Sequence, residues 1–199
     1  MQDQTPNSWE ARAEAHSFYG FTDLPTIHQR GTVVLTHGTG PYVHDVHGNS
    51  YLDGNSGLWN MVAGFDHPGL TQAAQDAYAR FPGYHAFFGR MADQTVMLSE
   101  RLIDVSPYDD GKVFYTNSGS EANDTMVKML WFLGHVEGQP QRRKIITRGN
   151  AYHGVTAVSA SMTAKPYNGL FGLPLDGFLH VTCPHYWRCL LYTSDAADD

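Results

Sequence analysis

Residues 112–123 read Lys-Val-Phe-Tyr-Thr-Asn-Ser-Gly-Ser-Glu-Ala-Asn. The apolar run over 112–116 predicts a strand, and the Gly-Ser turn after it opens an amphipathic helix over 118–134. A helix start presents backbone N–H groups and a positive dipole end, here at Gly119 and Ser120, where a phosphate dianion gains charge-assisted hydrogen bonds. The hydroxyl of Ser120 adds one more donor, so the turn is a candidate phosphate site.

The same turn also fits a structural interpretation. Ser118 and Glu121 form the pattern Ser-x-x-Glu, a capping box that stabilises a helix start whether or not a ligand is present. On the turn alone, both interpretations remain open.

Composition excludes several classes of function. The chain has 199 residues, of which 42% are apolar, and a net charge of -7 with no basic stripe, which argues against nucleic acid as a partner. No apolar run reaches the roughly 20 residues of a membrane helix, and the first residues lack a basic-then-apolar signal, so we expect a cytoplasmic protein. The cysteines and the pair His44 and His47 do not complete a metal site.

The order of elements around the Gly-Ser turn predicts an α/β fold. Strand 112–116, the helix after it and a strand over 143–147 form a βαβ unit, which implies a parallel pair of strands. A single unit with one further strand cannot cover both faces of a parallel sheet, so the fold looks incomplete. The other expected elements are helices over 8–16, 68–81 and 93–105, an antiparallel meander of strands 32–36, 42–45 and 50–53, and a strand over 157–160.

A second constellation, Asn150-Ala-Tyr-His-Gly154, follows the strand over 143–147. Ligand sites of parallel sheets lie at the carboxyl ends of the strands, so this loop and the Gly-Ser turn should face one crevice. Tyr152 or His153 would then stack on a flat ring. The alternative is a structural turn, since His and Gly are common in turns.

Aromatic residues cluster in three segments that we expect to be loops. The segments are Phe18-Tyr-Gly-Phe21, Ser56-Gly-Leu-Trp-Asn60 and Tyr84-His-Ala-Phe-Phe-Gly-Arg90. Aromatic side chains in loops commonly line binding pockets, although a role in the core or at a subunit interface is the open alternative.

Taken together, the motifs resemble class III aminotransferases that use pyridoxal phosphate. The resemblance rests on Asn117-Ser-Gly-Ser-Glu-Ala-Asn123, Asn150-Ala-Tyr-His-Gly154, Tyr51-Leu-Asp53 with Ser56-Gly57, and Gly64 with His67-Pro68. Three segments resemble the amine:pyruvate, or ω-transaminase, branch: Ser56 to Asn60, Phe81 to Arg90 and Thr182 to Arg188.

The resemblance covers about residues 8–188 and implies the N-terminal portion of a fold type I PLP-dependent aminotransferase. Residues 1–53 would be the N-terminal helix and β meander of the small domain. Residues 54–188 would be the first part of the PLP-binding large domain, with a mixed, mostly parallel sheet. Residues 189–199 look like a translated sequencing adapter and are expected to be non-native.

The resemblance also implies roles for individual residues. Gly119 and Ser120 would hold the phosphate of pyridoxal 5′-phosphate, and Tyr152 would stack on its ring with His153 nearby. The substrate pocket would be lined by Phe21, Leu58, Trp59, Phe87, Phe88 and Val155. Family members are dimers, so Phe87 and Phe88 would reach the partner's site. Gly149 replaces a bulky aromatic residue of the relatives and should loosen the loop that carries Tyr152.

None of the four lysines, Lys112, Lys128, Lys144 and Lys165, matches the family's Schiff-base lysine. We therefore expect no catalytic residue of the reaction in this chain and expect the 199-residue product to be inactive alone. The expected parent activity is transfer of an amino group between a primary amine or amino acid and a keto acid such as pyruvate. Alternatives are a related enzyme acting on acetylornithine, γ-aminobutyrate, diaminobutyrate or glutamate semialdehyde, a noncatalytic phosphate-ligand module, or a fragment that does not fold.

Overall fold

The computed structural model of the chain describes residues 7–108 and 110–184. It contains two compact units, one up to Val96 and one from Met97, and the division falls inside helix α5 (Asp93–Asp104). The first unit contains α1 (Trp9–His16), α2 (Leu24–Arg30), β1 (Leu35–Thr39), β2 (Tyr42–Asp45), β3 (Ser50–Leu52), the single turn α3 (Ser56–Trp59) and α4 (Pro68–Arg80). The second contains α6 (Gly119–Val136), β4 (Ile145–Arg148), α7 (Ala157–Met162), a 3₁₀ helix (Pro166–Phe171) and β5 (Phe178–Val181).

The first unit is organised around the predicted antiparallel meander, in the order β1-β2-β3. Strand β1 pairs with β2, and the register of the pairing shifts between Leu35 and His37. His37 lies opposite His44, and their rings stack with centroids 4.4 Å apart. Strand β1 begins three residues later than the sequence predicts and continues through His37 to Thr39, which we expected to be a turn. Pairing with β2 sets these bounds.

Asp45 holds the turn between β2 and β3 together. Its buried carboxylate accepts hydrogen bonds from the backbone N–H groups of His47 and Asn49 at 2.9 and 2.8 Å. It also accepts from the Asn49 amide and the Tyr51 hydroxyl, each at 2.8 Å. Helix α1 joins this turn through the buried Glu10, whose carboxylate contacts the His47 ring. These donors compensate the carboxylate for the loss of water.

The second unit is a short parallel sheet with helices α6 and α7 packed beside it. Strands β4 and β5 pair in parallel from Ile145 opposite Phe178 to Arg148 opposite Val181. The buried core between α6, α7 and β5 consists of Val127, Met162 and Phe178, with Trp131, Ile145 and Val158 packed against it. The sheet and its α/β character are as predicted, but the parallel pair is not the expected one.

Two predicted strands are wrong. Residues 112–116 form no strand, because no other strand among the described residues pairs with them, and a strand needs a partner for its backbone groups. Residues 157–160 belong to helix α7, whose N-cap Thr156 accepts a hydrogen bond from the N–H of Ser159. A short apolar run does not distinguish a buried strand from a buried helix. Strand β5 has no counterpart among the predicted strands, and the observed parallel connection runs from β4 through α7 to β5.

The remaining helix predictions hold. Helix α1 begins after its N-cap Ser8, and α4, α5 and α6 end within two residues of their expected bounds. The predictions for the segment His185 to Arg188 and for the adapter-like tail lie outside the described residues. The division at Val96 describes packing of the chain and does not test the predicted domain bounds, which stay a prediction. Within the described residues, no helix combines the length and the apolar character needed to cross a bilayer.

The hydrogen bonds to Asp45 make the stability of the first unit sensitive to acid. The bond from Asn49, together with that from Tyr51, lowers the pKa of Asp45 from 3.8 to about 2 despite its burial. A carboxyl whose pKa is lowered by folding stabilises the fold above its unfolded pKa, and that contribution is lost as pH falls from about 4 towards 2. We expect urea unfolding to show a steeper loss of stability over this range in the wild type than in Asp45→Asn. Asp76→Asn, which changes an exposed carboxylate of α4, should behave like the wild type, and parallel curves for wild type and Asp45→Asn would contradict the prediction.

Candidate functional site

The start of α6 is a capping box that leaves two backbone donors available. The hydroxyl of Ser118 accepts from the N–H of Glu121 at 3.2 Å, and the Glu121 carboxylate accepts from the N–H of Asn117 at 2.8 Å. The N–H groups of Gly119 and Ser120, the first two of the helix, take no part in these bonds. The cap is confirmed, and it coexists with an anion-binding geometry rather than replacing it.

The loop after β4 lies against this helix start. The N–H of Val155 donates to the Ser120 hydroxyl at 3.0 Å, and the amide of Asn123 donates to the backbone oxygen of His153 at 2.6 Å. The structure therefore brings His153 and Val155 to the first turns of α6, although Ser120 precedes both of them by more than thirty residues in the sequence. Tyr152, which directly precedes His153, is 53% exposed.

Hydrogen bonds also fix the loop from its other side. The N–H of His153 donates to the hydroxyl of the buried Thr163 at 2.8 Å. The side-chain amide of Asn168 donates to the backbone oxygens of Ala160 and Thr163 at 2.9 and 2.7 Å. The N–H of Gly149 donates to the backbone oxygen of Val181 at 2.7 Å, and the loosening effect of a glycine at this position stays a prediction. The loop is anchored at both ends.

Sequence reasoning missed Asn123, Asp124, Thr156 and Thr163, which surround the loop. Asp124 accepts hydrogen bonds from both Thr156 and Ser159. A signal was present, because Ser120, Asn123 and Asp124 stand at i, i+3 and i+4 and so share one face of a helix. Polar residues on one face of an otherwise apolar helix need polar partners, and the loop after β4 supplies them.

In the first unit, Leu58 and Trp59 lie in a left-handed turn. The φ angles of Ser56, Gly57, Leu58 and Trp59 are 48°, 60°, 72° and 71°. Left-handed backbone costs a residue with a Cβ about 1–2 kcal/mol. The carboxylate of Asp53 offsets part of this cost by accepting from the N–H groups of Asn55 and Gly57 at 3.0 and 2.6 Å. In this turn Trp59 is 78% exposed.

The predicted aromatic cluster around Phe87 is also in the first unit. The rings of Tyr84 and His85 stack with centroids 4.3 Å apart, and those of Phe87 and Phe88 are 6.2 Å apart. Phe88 is 91% exposed, and Phe21 is exposed as well. Phe21, Leu58, Trp59, Phe87 and Phe88 belong to one unit and Val155 to the other, so their shared role as a pocket wall stays a prediction. In the ranges 7–108 and 110–184 no group of three or more His, Cys, Asp or Glu residues is arranged to hold a metal ion.

Comparison with known proteins gives consistent results. The family model for aminotransferase class-III matches residues 26–190. The PMP-bound form of an aminotransferase from Vibrio fluvialis is 77% identical, with a TM-score of 0.90, and the match covers 92% of this chain and 40% of that one. An omega-aminotransferase from Paracoccus denitrificans is 75% identical with a TM-score of 0.91, over 95% of this chain and 41% of that one.

A curated relative points to the same family. The probable gamma-aminobutyrate transaminase 2, mitochondrial, of Oryza sativa subsp. indica is 44% identical over 158 residues, which is 78% of this chain and 32% of the relative. The chain thus spans about a third of this relative and about two fifths of the similar solved structures.

Close packing at Gly154 provides a test of the junction between the loop and α6. Its φ is +137°, and a Cβ there would lie 2.4 Å from the Ser120 Oγ and 2.5 Å from the Ser159 Oγ. We expect Gly154→Ala to lower the free energy of unfolding by about 2 kcal/mol or more, because backbone strain and overlap add. Gly119→Ala is the matched control, since a Cβ at that position meets open space. Equal urea midpoints for the two variants would contradict the close packing.

Proposed function

The chain belongs to the class-III aminotransferases, and we propose that its parent protein transfers an amino group between a primary amine or amino acid and a keto acid such as pyruvate. The observation that carries the proposal is the 77% identity, with a TM-score of 0.90, to an aminotransferase bound to PMP. Because the chain spans about 40% of that structure, the activity proposed is that of the whole protein.

The proposed cofactor is pyridoxal 5′-phosphate, and the residues at the start of α6 fit its phosphate. The N–H groups of Gly119 and Ser120 stand at the positive end of an 18-residue helix. The oxygen of the Ser120 hydroxyl accepts a hydrogen bond from the N–H of Val155. The hydroxyl can therefore donate its own proton to a phosphate oxygen. Three donors beside a helix terminus suit a dianion.

The loop after β4 supplies the second part of the proposed site. When bound, the cofactor provides an electron sink for the bond changes at the substrate carbon. In this proposal Tyr152 stacks on the cofactor ring, with His153 beside it. The backbone of His153 is fixed by hydrogen bonds with the side chains of Asn123 and Thr163, which restrict the movement of this part of the loop. A loop whose conformation is fixed before binding loses less conformational entropy when the ligand binds.

The substrate side favours an amine with an apolar body. Trp59, Phe87 and Phe88 are large, exposed aromatic side chains, as the proposed pocket wall requires. The 44% identity to a rice gamma-aminobutyrate transaminase supports a second candidate, a substrate with a distal carboxylate, for which Arg90 is the nearby cation. Rates of transfer to pyruvate from γ-aminobutyrate and from an apolar primary amine, measured on the full-length protein, distinguish the two.

The assembly and location proposed are a cytoplasmic homodimer with shared active sites. The dimer is supported by the resemblance to the family and by the exposure of Phe87 and Phe88 on the first unit. The cytoplasmic location is proposed from the composition of the sequence, which is acidic with a net charge of -7 and has no basic stripe.

Binding of the phosphate group tests the role of Ser120. We expect Ser120→Ala to weaken binding of pyridoxamine 5′-phosphate about tenfold, because one charge-assisted hydrogen bond is lost. Affinity for pyridoxamine, which lacks the phosphate, should change less than about twofold. Ser50→Ala, on β3 in the first unit, is the control, and both affinities follow from isothermal titration calorimetry. Equal weakening for the two ligands would place the phosphate elsewhere.

A second experiment tests whether the chain can bond the cofactor covalently. We expect no stoichiometric adduct at any of the four lysines after incubation with pyridoxal 5′-phosphate, borohydride reduction and gel filtration. Lys128, for example, is nine residues along α6 from Gly119, about 13 Å from the helix start along its axis. Mass spectrometry of peptides would locate an adduct, and one complete adduct at a single lysine would refute the expected inactivity of the chain.

A further inference from the structure

Hydrogen bonds of Asp124 connect helix α6 to Thr156 and to the start of α7, the segment that follows the loop of the proposed site. The carboxylate of Asp124 in α6 accepts from the Thr156 hydroxyl at 2.6 Å and from the N–H of Ser159 in α7 at 3.1 Å. The hydroxyls of Thr156 and Ser159 lie 2.6 Å apart, and Ser159 is completely buried. One carboxylate therefore binds two points of the segment that follows the loop.

The neighbouring residue of α6 binds the same loop at a second point. The side-chain amide of Asn123 donates to the backbone oxygen of His153 at 2.6 Å, while Asp124 engages Thr156 two residues after Gly154. Because Asn123 and Asp124 follow Ser120 by three and four residues, both point from the helix face that carries Ser120. Hydrogen bonds to α6 therefore hold the loop on both sides of Val155, at His153 and at Thr156.

We propose that Asn123, Asp124 and Thr156 are positioning residues, which place the N–H of Val155 on Ser120 and hold the loop beside the start of α6. The hydrogen bond from Val155 selects one rotamer of the Ser120 hydroxyl, so that its proton is left for the phosphate. If the connection is broken, Val155 withdraws and the hydroxyl samples other rotamers. The inference rests on the proposed function, because it assigns this arrangement to a phosphate ligand.

Four variants separate positioning from simple stability. Asp124→Ala and Thr156→Val remove the carboxylate and the hydroxyl, whereas Asp124→Asn keeps an oxygen that accepts both hydrogen bonds and Thr156→Ser keeps the hydroxyl. For each variant of the 199-residue chain, calorimetry gives the affinities for pyridoxamine 5′-phosphate and for pyridoxamine. Thermal unfolding gives stability, and amide hydrogen exchange reports on the N–H of Val155.

We expect Asp124→Ala and Thr156→Val to weaken the binding of pyridoxamine 5′-phosphate about tenfold. The binding of pyridoxamine should weaken by less than about twofold. Exchange at Val155 should accelerate in the same two variants. Asp124→Asn and Thr156→Ser should restore both the phosphate preference and the slow exchange. If Asp124→Ala does not fold, Thr156→Val, which keeps a branched side chain of similar size, gives the decisive comparison.

Four outcomes would overturn the inference. Unchanged affinities in Asp124→Ala and Thr156→Val would remove any positioning role. Equal weakening of both ligands, in step with lower thermal stability, would leave these residues a structural role only. Absence of a phosphate preference in the wild type would overturn the proposed function and the inference with it, whereas a preference that Ser120→Ala abolishes and Asp124→Ala retains overturns the inference alone.

Discussion

A helix terminus exposes backbone N–H groups that need partners, and the second unit is arranged around one such terminus, the start of α6. Ser118 and Glu121 cap part of it, and the hydroxyl of Ser120 receives the N–H of Val155. The N–H groups of Gly119 and Ser120 and the proton of the Ser120 hydroxyl remain as donors at the positive end of the helix dipole. The same end of α6 is therefore a capped helix start that also keeps donors suited to the proposed phosphate, and the two interpretations of the Gly-Ser turn are not exclusive.

The first unit relies on carboxylates in a comparable way. Asp45 gathers backbone and side-chain donors in the turn between β2 and β3, and Asp53 holds the left-handed turn that carries Trp59. In each case one carboxylate accepts hydrogen bonds from backbone N–H groups of a turn that have no partner in a helix or sheet. The strain in the turn is local, and it fixes the direction in which a large aromatic side chain is presented.

The predictions succeeded where structure is set by neighbours in the sequence. Caps at Ser8 and Ser118, and the order of the three strands in the meander, follow from local signals, although β1 takes up residues 37–39, which we expected to be a turn. The failures are in strands. Residues 112–116 have the apolar pattern of a strand but no pairing partner among the described residues, while Phe178 to Val181 pairs with β4 from more than thirty residues away. The sequence pattern of a segment indicates its preference for strand structure. Whether a strand forms also depends on a neighbouring strand with which the segment can make backbone hydrogen bonds.

The amino-acid sequence by itself determined the helix start at Gly119 and Ser120, its cap and the donors it presents, because these are properties of adjacent residues. It also contained the shared face of Ser120, Asn123 and Asp124, which follows from the helical period. Only the tertiary structure decided that Val155 and His153 lie on this face, that α7 is a helix, and that β5 is the partner of β4. These outcomes require contacts between distant segments, whose geometry no local pattern specifies.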